Sequence, residues 1–226
     1  MLYPLSRTPP SGDIKEMPVK AHIRYKNKNG DIIPGVSTIA NMLDKPALAP
    51  WANKLGLKGI DSNAYSREMG AIGTLAHSMI MAELKNEKLD ISDYSQEQIS
   101  KAENSFLSWL EWCKGKELSP ILIEAPLISE QYQFGGTLDF LGLIDKTLIL
   151  GDYKTGGIWR EAYIQTCAYR QLAIENNYPP ADKILILSIP RTEDEKFQEV
   201  SYTSFDNGFE AFLHLRRLYD ILKDMK

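Results

Sequence analysis

Two aspartates and a lysine, Asp139, Asp152 and Lys154, interrupt an otherwise apolar stretch that runs from residue 134 to residue 154. Apolar runs flank the polar pair Asp145-Lys146, a pattern typical of a β-hairpin with a two-residue turn. Because side chains alternate along a strand, Asp152 and Lys154 share one face of the sheet. A turn at Asp145-Lys146 also places Asp139 directly opposite Asp152.

Two opposed carboxylates need a bound cation, a shared proton or a basic neighbour, because like charges destabilise a cross-strand pair. Oxygen ligands on rigid strands suit Mg²⁺ or Mn²⁺. Lys154 lies one pleat further along, near any phosphate that bridges to such a metal. The alternative is a surface hairpin with ordinary charges, although aspartates are depleted in strand interiors.

A histidine on a predicted helix is a further candidate. The pattern predicts a helix over residues 62–85, with Asp61 or Ser62 as its N-cap, and it places Gly73 and His77 on one face. A glycine inside a helix destabilises it, and it marks either close approach of another segment or a break. His77 is therefore either a metal ligand or acid–base group near the hairpin, or a hydrogen-bonded core histidine.

A glutamine and a tyrosine follow the hairpin on the next predicted helix, over residues 160–176. Gln165 and Tyr169 are four residues apart and share a helical face. The two side chains either support the hairpin or decorate the surface. Glu124, on a strand that begins at Pro120, is likewise either an exposed residue of an edge strand or a further acidic group beside the metal site.

The remaining elements must position these residues. They are a small hairpin over residues 19–34 with Gly30 in its turn, a short helix capped by Ser37 or Thr38 and continuing through Met42-Leu43, a second short helix around Trp51 to Leu55, an amphipathic helix over 95–116, strands at 183–189 and 197–203, and a last helix over 206–223. This order predicts an α/β fold with a mixed central sheet flanked by helices, behind a helical N-terminal half. We expect one domain, with an arm at 1–18, a mostly helical part at 19–118 that walls the cleft, and an α/β core at 119–226.

Composition narrows the functional classes. The chain has 226 residues, of which 43% are hydrophobic and 25% charged, as in a globular protein with a full core. No apolar run approaches 18 residues and no signal peptide is evident, so we expect no membrane span and a cytoplasmic location. Cys113 and Cys167 are expected to be free thiols in a reducing compartment. The net charge of −4 gives no global attraction to nucleic acid but permits a local phosphate site.

Taken in order, these segments resemble the PD-(D/E)XK nuclease superfamily, and specifically its RecB-like branch. The matching segments are GTLAH ending at His77, GGTLD ending at Asp139, DYK with Asp152 and Lys154, and QTCAY with Gln165 and Tyr169. The segment IPGVSTIANML, followed by Trp51, is similar to the N-terminal region of phage and mitochondrial genome maintenance exonucleases. The resemblance covers roughly residues 33 to 175. Leu138 stands where the superfamily motif has proline, and the four cysteines of the iron–sulfur members are missing, so no cluster is expected.

The resemblance implies a restriction-endonuclease-like core and a role for each matched residue. Its metal ligands for Mg²⁺ or Mn²⁺ would be His77, Asp139, Asp152 and the backbone carbonyl of Tyr153. Lys154 matches the lysine that orients the attacking water and offsets charge on the scissile phosphate. Gln165 and Tyr169 match residues that support the site and touch the nucleic-acid backbone, and Glu124 matches a less regular acidic position.

The implied activity is a metal-dependent deoxyribonuclease, most simply an exonuclease in phage or bacterial DNA recombination, repair or replication. The alternatives are a structure- or site-directed endonuclease on the same fold, an inactive DNA-binding relative, and an unrelated metal-binding enzyme. The expected partners are single-stranded DNA or duplex ends, with a recombination or replication protein as a further possibility. Candidate substrate contacts near the motif segments are Lys54, Lys58, Arg67, Arg160 and Arg170, with Trp51 or Trp159 as platforms for base stacking.

Overall fold

The computed structural model describes residues 24–225, so the arm predicted at 1–18 and the first residues of the small hairpin lie outside the described range. No helix within the described range is long and apolar enough to cross a membrane. The helices are α1 (Val36–Ala40), α2 (Leu48–Gly56), α3 (Ser62–Lys85), α4 (Gln96–Cys113), α5 (Arg160–Glu175) and α6 (Asp206–Asp224), and the strands are β1 (Leu118–Ser129), β2 (Phe134–Ile144), β3 (Thr147–Lys154), β4 (Lys183–Ser188) and β5 (Gln198–Tyr202).

The strands form one mixed sheet in the order β1-β2-β3-β4-β5. Neighbouring strands are antiparallel, except that β3 and β4 are parallel. Parallel neighbours require a crossover connection, and α5 supplies it. The predicted α/β class, with a mixed central sheet and flanking helices, is confirmed, and β1 is an edge strand.

Helices cover both faces of this sheet. On one face, α1, α5 and α6 contribute residues such as Ile39, Leu172 and Phe212 to a core that includes Leu150 of β3. On the other face, α3 and α4 pack on the sheet, with Trp109 against Tyr153 at 6.3 Å between ring centroids. The strand β4 is apolar because it lies inside the sheet with both faces covered.

The turn of the central hairpin forms as predicted. Asp145 and Lys146 both have positive φ, +48° and +69°, which is the backbone of a type I′ turn. The resulting register pairs Ile144 with Thr147 and continues in step to Phe140 opposite Gly151. The ladder therefore ends one pair before Asp139 and Asp152.

Local differences occur at the first two helices. The helix α1 begins at Val36 with Gly35 at the N-cap and no side-chain cap, so the prediction that Ser37 or Thr38 caps it was wrong. The helix α2 begins earlier than predicted, because Pro50 is tolerated in a first turn, where its missing N–H costs no intrahelical bond. The predicted N-cap of α3 is confirmed, since the Asp61 carboxylate accepts a hydrogen bond from the Ala64 nitrogen at 2.7 Å.

Candidate active site

The site lies where β2 and β3 separate, a place called the fork below. Beyond the last ladder pair, Oδ2 of Asp139 accepts a hydrogen bond from the backbone nitrogen of Tyr153 at 3.0 Å. A side-chain oxygen thus takes the place of a strand carbonyl at this position. The strand β3 continues past the fork by pairing with β4, with Lys154 opposite Ser188. Asp152 and Lys154 therefore lie on a strand that still pairs with β4 but no longer pairs with β2.

The alternation of side chains along β2 breaks at the fork. Leu138 and Leu141 both lie in the core under α5, although they are three residues apart, whereas Phe140 lies in the core under α3 and α4. In the β1–β2 register Glu124 lies between the pairs Ile123–Phe140 and Ala125–Leu138, and its φ of +50° is rare for a non-glycine residue. Asp139 therefore lies where the regular alternation of β2 is interrupted.

A buried ion pair occupies one side of the fork. Lys154 Nζ lies 3.0 Å from Oδ1 of Asp152 and 2.7 Å from its Oδ2. The Asp152 side chain is 3% exposed, whereas that of Lys154 is 28% exposed. Despite its short distance to the ammonium, Oδ2 makes no hydrogen bond of acceptable angle within residues 24–225. A carboxylate oxygen has two lone pairs, so Oδ2 can accept a further cation beside the ammonium.

His77 approaches the fork from the opposite face. Its Nδ1 is 3.6 Å from Oδ2 of Asp139, the same oxygen that accepts the hydrogen bond from the Tyr153 nitrogen. The predicted close approach at Gly73 is confirmed, because a Cβ there would lie 2.5 Å from Oγ1 of Thr155, the residue after Lys154. The helix continues without a break through Gly73. The missing side chain lets α3 pack against the end of β3 and brings His77 to the site.

A hydrogen-bonded chain connects the ion pair to α5 and α1. The Lys154 ammonium donates to Oε1 of Gln165 at 3.4 Å, and Nε2 of Gln165 lies 2.6 Å from the Tyr169 hydroxyl. The same Nε2 donates to Oγ of Ser37 at 3.3 Å. Sequence reasoning assigned Ser37 only to helix capping. Ser37 lies in the segment IPGVSTIANML, and this resemblance is the signal that could have drawn attention to it.

The charged groups at the fork shift one another's pKa values. Burial raises the pKa of Asp152, and Asp139 adds to this, so the pKa stays above its usual value even though Lys154 opposes the shift. Burial also acts to raise the pKa of Asp139, but His77, Lys154 and the Tyr153 N–H hold it below its usual value. The pKa values of the two aspartates are therefore shifted in opposite directions.

The pKa values of the two basic partners, His77 and Lys154, are both raised. Burial lowers the pKa of His77, but Asp139 outweighs it and the pKa is raised. Burial also lowers the pKa of Lys154, and Asp152 and Asp139 more than reverse this. Burial raises the pKa of Tyr169 to about 12, so its hydroxyl keeps its proton. The lysine is an ammonium at neutral pH and is suited to holding an anion.

The donor atoms at the fork suit a divalent cation in part. Within the described range no three His, Cys, Asp or Glu side chains converge in metal-binding geometry. The buried Oδ2 of Asp152, which faces the Lys154 ammonium, nevertheless fits a hard cation, and oxygen ligands are those that Mg²⁺ prefers. Because Mg²⁺ usually keeps several waters, an all-protein cage is not required.

The other predicted contacts fall into two groups. Arg170 is committed to the fold, since its Nε donates to the Ala181 carbonyl at 2.9 Å and its guanidinium lies 4.2 Å from the Phe205 ring centroid. The carboxylate of Glu124 lies 3.9 Å from Lys85 Nζ at the end of α3. The remaining basic candidates are exposed: Lys54, Lys58, Arg67 and Arg160.

The two cysteines and a large groove lie away from the fork. Cys113 and Cys167 are free thiols, and burial raises the pKa of each to about 11. A groove of about 530 Å³ between α4 and residues 190–197 contains none of the predicted catalytic residues. Its lining is mainly apolar, which is not the chemistry that the fork offers.

The chain has distant structural neighbours among known proteins. No family model matches the sequence, and no curated protein matches it. Among solved structures, the chain is similar to a candidate exonuclease from Eubacterium rectale, at 9% identity and a TM-score of 0.41 over 65% of this chain and 64% of that one. It is also similar to an alkaline exonuclease from Laribacter hongkongensis, at 15% identity and a TM-score of 0.30 over 66% and 82% of the two chains. Likenesses this distant carry no argument about activity, which must come from the site.

Proposed function

We propose that this protein is a divalent-metal-dependent deoxyribonuclease that hydrolyses phosphodiester bonds at the fork between β2 and β3. One observation carries the proposal: the buried carboxylate of Asp152 pairs with the Lys154 ammonium, 2.7 Å from its Oδ2, and lies across the fork from Asp139. Carboxylates and a lysine at a strand fork can bind a cation and a phosphate together.

Asp139 and Asp152 would hold Mg²⁺ or Mn²⁺, with His77 and the Tyr153 carbonyl as further donors. A divalent ion bound there supplies charge for the phosphoryl oxygens and acidifies bound water. The site needs no iron–sulfur cluster. The fixed positions of the two carboxylates, one on Tyr153 N–H and one on Lys154, explain how like charges are kept together before the cation arrives.

Lys154 holds the attacking water and offsets negative charge on the phosphate. Its ammonium is a compact point charge with three donors, and Asp152 and Gln165 use only part of them. Gln165 fixes the ammonium, and Tyr169 and Ser37 fix Gln165. Because the pKa of Lys154 is raised, the ammonium acts through its charge and its hydrogen bonds, and the general base is not assigned to it.

The substrate is DNA, and the finer proposal is an exonuclease of phage or bacterial recombination, repair or replication. Single-stranded DNA and duplex ends are the substrates to be compared, and exposed Arg67 and Arg160 are candidate contacts to its backbone. The protein would act in the cytoplasm, where both thiols stay reduced. An endonuclease on the same fold and an inactive DNA-binding relative are the outcomes against which the proposal is tested.

The test is digestion of end-labelled linear DNA, single- and double-stranded, and of covalently closed circles, with Mg²⁺, Mn²⁺ or EDTA. The proposal expects linear DNA to be degraded with either metal and not with EDTA. Cutting of closed circles would replace the exonuclease with an endonuclease. Binding of DNA without cutting under any metal would overturn the nuclease and leave a binding protein.

A further inference from the structure

A second, smaller pocket begins just beyond the end of β3. It has a volume of about 190 Å³, and the residues that line it include Gly156, Gly157, Ser188, Lys196 and Gln198. The two glycines offer only backbone, and the side chains of Lys196 and Gln198 can donate hydrogen bonds to a bound group. The pocket lies within two residues of Lys154 along the chain, and neither the fork nor its supporting network uses it.

Hydrogen bonds from Ser188 and Ile189 fix one side of the pocket to the end of β3. The Ile189 nitrogen donates to the Lys154 carbonyl at 2.8 Å, and the Ser188 hydroxyl donates to the Gly156 carbonyl at 2.5 Å. These contacts join the carboxyl ends of the parallel strands β3 and β4. The crevice outside such ends is where open α/β sheets bind ligands. A group bound here is thus held at a fixed offset from the Lys154 ammonium.

The pocket has an excess of one positive charge. Arg191 and Glu195 both contribute to the lining, but they pair with each other, with Arg191 Nε 3.1 Å from both carboxylate oxygens of Glu195. Lys196 forms no ion pair within residues 24–225 and is exposed. A phosphodiester carries one negative charge, so the charge of the pocket complements a single phosphate of a nucleic-acid strand.

Glycines and a tryptophan shape the rim. Gly156 has a φ of +153°, where a side chain would be strained, and Gly157 packs under the indole of Trp159. The Trp159 side chain is 50% exposed. An exposed indole beside a phosphate-sized pocket is an arrangement that binds one nucleotide by its phosphate and its base together.

We infer that the Gly156-Gly157 pocket binds a phosphate of the nucleic-acid strand adjacent to the one at the fork, with Lys196 as its charge partner and Trp159 as a stacking surface. This inference deepens the proposed function and rests on it for the identity of the strand. A terminal phosphate and an internal phosphodiester present the same chemistry to the pocket, and the experiment distinguishes them.

The experiment measures binding of fluorescent single-stranded DNA to full-length protein in EDTA across a salt series. It compares wild type with Lys196→Ala and with Lys146→Ala, a matched control in the turn at the other end of β3. Each protein is tested on oligonucleotides with and without a 5′ phosphate. We expect Lys196→Ala to weaken binding about three- to tenfold and to lower the slope of log K against log salt by about 0.7, as for one phosphate contact on a single strand.

The outcomes separate the two proposals. A loss confined to the phosphorylated oligonucleotide supports a terminal phosphate, and an equal loss on both supports an internal phosphodiester. If Lys196→Ala keeps both the affinity and the salt slope of Lys146→Ala, the pocket inference is overturned, whether or not the protein cuts DNA. If wild type binds DNA with the expected dependence on Lys196 but never cuts it, the pocket stands and the nuclease proposal falls. A wild type that binds no DNA overturns both.

Discussion

The backbone nitrogen of Tyr153 donates a hydrogen bond to Oδ2 of Asp139 at 3.0 Å, across the point where β2 and β3 separate. This contact replaces the next bond of the strand ladder with one to a side chain. It sets the position of one carboxylate by backbone geometry, while Asp152 is set by Lys154. Two acidic groups can therefore coexist at the fork because each has its own donor.

Replacing Asp152 with asparagine should stabilise the metal-free protein. Burial and the neighbouring Asp139 raise the pKa of Asp152, so the fold disfavours its charged form and removing the charge should raise the melting temperature of the metal-free protein. Wild type should gain thermal stability from Mn²⁺, and Asp152→Asn should not. Thermal unfolding in EDTA and in Mn²⁺ measures both effects, with Asp93→Asn as an exposed control. A metal-free variant that melts below wild type would contradict the argument from charge burial.

Gln165→Leu should slow cleavage by about tenfold with little change in KM, because Gln165 positions Lys154 and a 1 Å misplacement of a catalytic group has effects of this order or larger. Gln171→Leu is the matched control on the same helix, since Gln171 bonds Glu175 and not the fork. Steady-state kinetics on linear DNA separates kcat from KM. An equal effect of both variants would show that the loss arises from the helix and not from the lysine.

Alanine at two glycines of α3 should have opposite effects. Gly73→Ala should destabilise the protein by about 1–3 kcal/mol, since the new Cβ meets Oγ1 of Thr155. Gly70→Ala has open space and should stabilise by about 0.5–1 kcal/mol through helix propensity. Chemical denaturation measures both. Adding Thr155→Ala should recover most of the loss at position 73, and failure to recover it would rule out this contact as the cause.

The ion pair between Arg191 and Glu195 should make stability depend on acid pH. Burial acts to raise the pKa of Glu195, but hydrogen bonds and charge from Arg191 outweigh it and the pKa is lowered. The stabilisation is therefore present above the usual glutamate pKa and is lost as pH falls through the lower, folded-state value. Glu195→Gln should cost about 0.5–1 kcal/mol at neutral pH, and nothing once the pH is below the folded-state value. Urea unfolding over this pH range measures the difference, and a difference independent of pH would exclude this pair as the source.

Much of the fold follows from local patterns. The apolar runs of the hairpin and the turn at Asp145-Lys146 predicted its register, because side-chain alternation and turn length leave little freedom. The long helix α3 and its Asp61 cap were predicted for the same kind of reason. The pairing of β3 with β4 in a mixed sheet agrees with the predicted order of elements.

The site was less completely predictable, because it depends on departures from those patterns. The predicted turn and side-chain alternation placed Asp139 directly opposite Asp152, whereas the ladder ends one pair earlier and the Asp139 carboxylate accepts a hydrogen bond from the Tyr153 N–H. No spacing rule predicts that the ladder stops at this pair. Ser37 reaches Gln165 only through packing of α1 on α5, a long-range contact that no spacing rule reports.

The most direct test of the central claim compares wild type with Lys154→Ala on the same linear DNA in Mg²⁺, with Lys146→Ala as a lysine control distant from the fork. The account predicts cleavage by wild type and by Lys146→Ala, and a loss of about 100-fold or more in Lys154→Ala, because a charge aimed at the reacting phosphate is removed. Circular dichroism should show that the variant is folded. A folded Lys154→Ala protein that cuts DNA at the wild-type rate would contradict the account.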